Sequence, residues 1–489
     1  MKLSKILLTI GIVFFAIVSC GKDDLELANP NELSEDTYFK RPEQLQSAVD
    51  AIYANLQTEA LFSRVWYYMY DNMSHEVETN PQHEANKRVY FDFNYDADDG
   101  YIFEYWDNCF RGINKANFVI QNEDKFENVT TELIRQSIGE AKFMRAFYYS
   151  MLVQRFGGVP LYIEPTGEGQ PRATEEAVYA QIIEDLQDAA SKLSSKANTD
   201  GGRPSAGSAQ ALLGKMYLHT EQWQAAADAF KSMSGYALTS NYEDNFLEET
   251  EFNIESVYEI NFTLAFGATT DWNGVGTGTG IHEFSFRGQD MGWNDWFNSY
   301  PSQDLVDEYE SNDPRFGANF YVNGDLFNNG NQTVELPLER TVAWKKYQLY
   351  YKQSNENQAS GINCRVIRYA DVLLMLAEAE NELGNSSAAV DLLNQVRDRV
   401  GMPRYGTAEM DALYPVANKE DIFEAIVHER KVELAGEQVR FQDLIRWDMA
   451  DEELAQFGFK KGIHERFPIP FREINTNPNI SASEQNPGF

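Results

Sequence analysis

Two stretches of the chain set large aromatic rings beside amides and carboxylates. One is Trp66-Tyr67-Tyr68-Met69-Tyr70-Asp71-Asn72; the other runs from Trp272-Asn273 to Trp293-Asn294-Asp295-Trp296. Sugars present flat C–H faces that stack on rings, and hydroxyls that pair with Asn, Asp and Arg. Trp66, Asn72, Trp272, Trp293 and Trp296 are therefore the candidate ligand-binding residues. The alternative for each ring is a place in the core, where most large aromatics lie.

Chemistry that breaks bonds has less to stand on. The histidines at 75, 83, 219, 282, 428 and 464 form no His-Glu-x2-His pair, and no Gly-x-Ser-x-Gly elbow occurs. The chain has 76 carboxylates, so a pair suited to glycoside hydrolysis means nothing without distances. Asp96, Asp98 and Asp99 suit either a calcium ion or a solvated turn, and metal binding stays open. Gly274, Gly276, Gly278 and Gly280 lack the strand–helix context of a phosphate loop and read as a mobile loop. No catalytic residue and no cofactor is expected.

Composition narrows the partners. A net charge of −35 repels phosphate backbones, which excludes nucleic acid as a partner. Hydrophobic residues make up 43% and charged residues 24%, ordinary for a globular protein, while aromatics reach 13%. At the N-terminus, Lys2 and Lys5 precede an apolar run from Ile6 to Val18, then Ser19-Cys20. The run has secretory-signal length and is too short to span a bilayer. It resembles a bacterial lipobox, which implies cleavage before Cys20 and acylation of that residue. Gly21-Lys22-Asp23-Asp24 is similar to the acidic surface-export signal of Bacteroidetes lipoproteins. The expected attachment to the outer membrane is by lipid anchor alone, facing the cell exterior. Cys109 and Cys364 read as two buried thiols, with one disulfide as the alternative.

The elements that must position these residues are mostly helical. Ala48, Ile52 and Leu56 share a face, as do Ile113, Ala116 and Ile120. Long helices are expected over 137–156, 174–193 and 422–447. From Leu213 the residues Gly214, Tyr217, Trp223, Ala226 and Phe230 fall at tetratricopeptide spacing, with small residues where two antiparallel helices cross. Ala377, Ala389 and Leu393 repeat the pattern, with a turn at Gly384-Asn385-Ser386. The helices over 137–156 and 174–193 form a looser third pair. Residues 255–262 alternate like a short strand, and 265–360 is rich in Gly, Asn and aromatics with little periodicity. The fold class expected is mainly α: a tetratricopeptide-like helical-hairpin scaffold with long irregular insertions and a few short strands.

Several motifs go beyond a generic repeat. They include Trp106-x3-Phe110-x2-Ile113-x2-Ala116-Asn117, Ala141-x3-Arg145-Ala146-x2-Tyr149 and Phe156-Gly157-Gly158-Val159-Pro160-Leu161. Further on stand Asp313-Pro314-Arg315, the run Val366–Ala379 around Arg368, Glu429-Arg430-x2-Glu433-Leu434 and Phe441-x-Asp443-Leu444-x-Arg446-Trp447. Phe467-Pro468-Ile469-Pro470 and Gln485-Asn486-Pro487-Gly488-Phe489 close the chain. Over essentially its whole length the chain resembles the SusD/RagB family of outer-membrane nutrient-binding lipoproteins.

The resemblance implies a signal peptide over 1–19, an N-terminal region over 20–250 and a C-terminal region over 251–489. It also implies a non-enzymatic oligosaccharide-binding role and a SusC-like TonB-dependent transporter beneath, covered like a lid. A peptide-binding member of the same family, or a repeat-scaffold adaptor, are the alternatives. Arg145, Arg368, Arg430, Glu433 and Arg446 read as structural ion pairs rather than ligand contacts.

Overall fold

The computed structural model describes residues 40–164, 166–265, 283–337 and 339–489. The leader with Cys20, the ring of Trp272 and the glycines from 274 to 280 lie outside the described residues.

Ten helices carry the framework: α1 (Pro42–Ala54), α2 (Gly100–Gln121), α3 (Thr131–Phe156), α4 (Glu175–Lys192), α5 (Ala206–His219), α6 (Trp223–Lys231), α7 (Tyr369–Glu382), α8 (Ser386–Val400), α9 (Lys419–Glu433) and α10 (Arg440–Arg446). Side-chain caps set many of their starts. Asp99 accepts from the backbone N–H of Tyr101 and Ile102, Thr130 from Leu133, Thr174 from Ala177 and Asn418 from Asp421. Each cap satisfies an N–H that the first helical turn leaves unpaired. The Thr130 cap starts α3 ahead of the expected Ser137, adding a turn whose Leu133 and Ile134 pack against the core. Gly157, at φ +72°, ends it.

The expected helix over 422–447 is broken. α9 stops at Glu433, and the chain turns through Gly436 and Gln438, both at positive φ, before α10 begins. The turn presents Glu437 to Arg368 at 2.7 Å and to Lys346 at 2.7 Å. That buried pairing, invisible to helical periodicity, decides the break.

Helices stack in chain order: α1 on α2, α2 on α3, α3 on α4, α4 on α5, α5 on α6, then α6 on α7, and α7 on α8 and α9. Contact passes directly from α6 to α7 although the chain between them makes a long excursion. The short strands are β1 (Val77–Thr79), β2 (Ser256–Ile260), β3 (Ser299–Pro301), β4 (Phe320–Val322), β5 (Leu326–Phe327), β6 (Gln332–Thr333), β7 (Val342–Trp344) and β8 (Cys364–Arg368). They pair as four antiparallel ribbons, β1 with β3, β2 with β8, β4 with β7 and β5 with β6. The β2–β8 ribbon clamps the two ends of the excursion. β2 is buried along its whole length rather than on alternate residues, because Tyr258 packs edge-on against Phe143 and Phe147 while β8 covers its edge.

The α5–α6 hairpin is close-packed. A Cβ added at Gly214 would lie 2.4 Å from the Phe230 ring, and Ala226 is fully buried. Ala226→Leu is therefore expected to overpack the crossing and cost roughly 1–3 kcal/mol, read as a lower urea midpoint. An unmoved midpoint would rule out close packing here.

Polar contacts lock the remaining motifs. Arg145 grips Asp185 through two bonds of 2.7 and 2.6 Å. Arg430 joins Asp371 and Asp443, each at 2.8 Å, and Arg446 joins Glu378 and Asp443. At the C-terminus, Asn486 donates to the carbonyls of Phe156 and Phe467 at 2.9 and 2.7 Å. Gln485 pairs with both backbone groups of Ile469. The tail thus fastens the end of α3. Cys109 and Cys364 are free thiols, Cys109 buried and Cys364 half-buried.

Candidate functional site

Residues 59–72 are wound irregularly. Wide turns at Glu59–Ser63 and Tyr68–Asn72 flank a short helical turn at Val65–Tyr67, and Leu61 leaves helical geometry altogether. This winding turns the whole aromatic stretch inward. Trp66 is only 8% exposed, with its ring 4.3 Å from Phe62 and 5.1 Å from Tyr70. Asn72 is fully buried; its amide donates to the Lys87 carbonyl at 3.3 Å and accepts from the Ser299 hydroxyl at 3.3 Å. Both pack in the interior of this structure, where Trp66 also lines two small cavities. Trp293 is buried as well. It is 8% exposed and packs against Phe327 and Tyr350 at 5.2 and 5.6 Å.

Trp296 stands out, with 36% of its surface exposed. A tight turn presents it. The Phe297 N–H bonds the Gly292 carbonyl at 3.1 Å with Phe297 at positive φ, and the Trp296 N–H bonds the Gln289 carbonyl at 3.1 Å. The Arg64 guanidinium lies 5.3 Å from the centre of the Trp296 ring. Arg64 is itself held by both oxygens of Asp290, at 2.8 and 2.9 Å. Burial disfavours the Asp290 carboxylate, but Arg64 outweighs it and holds that group below the usual carboxylate range. Tyr67 donates to Asp290, and Asn298 bridges Asp290 to the Tyr68 hydroxyl at 3.2 and 3.1 Å. A ring on a turn thus rests on a buried, fully paired polar base.

The rim is polar. Arg64 also reaches Glu84 at 3.0 Å, and the Glu84 side chain is nearly half exposed. Asn294 is exposed and donates to the Ser354 carbonyl at 2.9 Å. Exposed Gln358 is tied by its N–H to Gln289 at 2.8 Å. Asn357 beside it is exposed, and both residues sit at positive φ. His83 packs at a tilt against Tyr68 with ring centres 4.8 Å apart, and among the described residues neither of its ring nitrogens has a hydrogen-bond partner. Burial pushes its pKa down to about 4, so near neutral pH it is an uncharged donor–acceptor. The whole offers one aromatic face framed by amides and a carboxylate.

Sequence reasoning missed Arg64, His83, Glu84 and Gln358. Only Arg64 had a local signal, a cation two residues before Trp66; its partner Asp290 lies 226 residues away in the chain. The Asp96–Asp99 turn has a structural use. Asp96 accepts from the Asp98 N–H at 2.9 Å, and Asp99 caps α2 and accepts from Tyr90 at 2.9 Å. Among the described residues, no group of three or more His, Cys, Asp or Glu is placed to hold a metal ion.

The model described as the SusD family matches residues 217–489. The chain belongs to the SusD family. A second model, described as starch-binding and associating with the outer membrane, matches residues 24–218, so the two meet at the end of α5. A SusD-like protein of Formosa agariphila is 25% identical, across 99% of both chains. One from Bacteroides ovatus is 26% identical over 90% of this chain and 82% of its own. Among solved structures, a laminarin-binding SusD-like protein is 27% identical, with a TM-score of 0.77 over 92% of this chain and all of that one. A SusD superfamily protein of Bacteroides vulgatus is 25% identical, with a TM-score of 0.78 over 93% of this chain and all of that one. The helical scaffold is thus that of SusD-like proteins. Among the described residues no helix is long and apolar enough to cross a membrane.

Proposed function

We propose that this SusD-family protein binds oligosaccharides at the cell surface, without cleaving them, and delivers them to a SusC-like TonB-dependent transporter. The observation that carries the reading is the exposed Trp296 face, framed by Glu84, Asn294, Asn357 and Gln358. The laminarin-binding relative supports the ligand class, and the outer-membrane description of the N-terminal match supports the location. Trp272, outside the described residues, is the second candidate ring. Cys20 is the proposed acylation site and sole membrane attachment; a fatty-acid analogue that still labels a Cys20→Ala protein would end that idea.

Affinity is expected to be modest, since an open face buries little area and hydroxyls exchange water bonds for protein bonds at small net gain. Calorimetry of the mature protein against a glycan panel should find a ligand recovered intact. Trp296→Ala should then weaken binding by about 1–2 kcal/mol, the value of one apolar face removed from water. Undiminished binding in that variant would move the site elsewhere, and appearance of shortened products would make the protein an enzyme.

A further inference from the structure

A groove of about 300 Å³ runs between α2, the loop 162–169 and the short helix Phe471–Thr476. None of its lining belongs to the Trp296 face. Its floor is the aromatic stripe Phe103, Trp106 and Phe110 on successive turns of α2, met edge-on by Tyr162 at 5.6 Å from Phe110. Four carboxylates, Asp107, Glu164, Glu168 and Glu473, stand around that floor. Two are already engaged. Asp107 pairs with Arg111 at 2.5 Å, and Glu473 accepts from the Trp106 indole at 3.3 Å and from Asn477 at 2.8 Å. Glu164 and Glu168 are exposed at the mouth of the groove. Next in sequence to lining residues, Ile163 is 46% exposed, and Phe471, at the start of the short helix, is 41% exposed.

We propose that this groove docks a cationic segment of a partner protein, with an arginine or lysine side chain laid along the aromatic floor and its head between Glu164 and Glu168. Three observations select that occupant. One floor ring already pairs with a cation of this chain, Arg472 lying 4.6 Å from the centre of Phe103, and a cation over a ring is attractive in itself, which leaves Trp106 and Phe110 for the incoming side chain. The apolar stem of a long basic side chain matches the rings while its head reaches the acids. Apolar residues flanking it would cover Ile163 and Phe471.

Charge removes the nearest competitors. The chain's own stretch over 20–39 carries Asp23, Asp24, Glu26, Glu32, Glu35 and Asp36 against Lys22, and a second copy brings a net charge of −35. A neutral sugar would stack on the rings and donate hydroxyls to the carboxylates but would form no ion pair with Glu164 or Glu168.

The test titrates the mature protein with acetyl-Gly-Leu-Arg-Leu-Gly-amide and with the same peptide carrying citrulline, the uncharged isostere of arginine. The arginine peptide should bind at least tenfold more tightly at low salt, with the advantage shrinking as salt rises. Glu164→Gln with Glu168→Gln should bring its affinity close to that of the citrulline peptide. Phe110→Ala should weaken both peptides, and an unchanged urea midpoint would show its fold intact. Equal affinity for the two peptides, no binding of either at millimolar concentration, or full binding by the double carboxylate variant would each overturn the proposal. Because Trp296→Ala reports on glycan separately, failure here leaves the glycan reading standing, and the reverse holds too.

Discussion

Glu433→Gln is expected to lower the free energy of unfolding by about 3–5 kcal/mol, the usual cost of removing one partner from a buried ionic cluster. Glu433 is fully buried at the end of α9. Three guanidiniums meet its carboxylate: Arg399 at 2.5 Å, Arg368 at 2.5 Å and Arg315 at 3.1 Å. These arginines also bind Glu255, Glu429, Glu437 and Asp313, so the excursion, α8 and α9 meet at one carboxylate. The amide keeps the volume and deletes the charge, leaving buried cations short of a counter-ion. Burial disfavours the charged form, but Arg399, Arg368 and Arg315 outweigh it and hold Glu433 far below the usual carboxylate range. A group whose pKa is depressed on folding contributes its full stability above its unfolded value, near pH 4.3. That contribution fades as pH falls toward the folded value. Urea unfolding should therefore show a large gap between wild type and Glu433→Gln at pH 7 that narrows below about pH 4. A gap under 1 kcal/mol at pH 7 would mean that the cluster has little energetic weight.

Trp293→Ala should cost a similar amount, about 3–5 kcal/mol, for a different reason. Its ring fills a core cluster with Phe297, Tyr300, Tyr321, Phe327 and Tyr350, and truncation leaves a cavity those rigid rings cannot close. Three residues on, Trp296→Ala should cost clearly less, about 1–2 kcal/mol, since a third of its surface already faces water. Parallel urea melts of the two variants check the contrast. Equal losses would place both rings in the core and leave the proposed face without its platform.

That contrast shows where the sequence was legible. The repeat spacing around Gly214 and Ala226 translated into a close crossing because helix packing is local and periodic. Capping residues such as Thr174 marked true starts for the same reason. The break between α9 and α10 was not legible, since Glu437 turns inward toward Arg368 and Lys346, partners far away in the chain. The site was legible only in part. Aromatic and amide residues marked the stretch that holds Trp296, yet ring type alone does not tell Trp293 from Trp296. A single turn, held by Phe297 at positive φ, points one inward and the other out. The base beneath Trp296 rests on the Arg64–Asp290 pair, which no local pattern announces.

The direct contact of α6 with α7 has a kinetic consequence. Every earlier helix meets a neighbour close in sequence, whereas this contact must wait for the chain from Lys231 to Tyr369 to be gathered in. Closing so long a loop costs roughly 3 kcal/mol more entropy than closing a short turn. Non-local contacts of this kind slow folding. The hairpins up to α6 can form as the chain emerges from the N-terminus, while α7 to α9 assemble as a separate nucleus. The β2–β8 ribbon, by drawing the ends of the excursion together, is the step that joins the two halves. Folding should thus be rate-limited at the ribbon, and an early-folded N-terminal half should precede the whole.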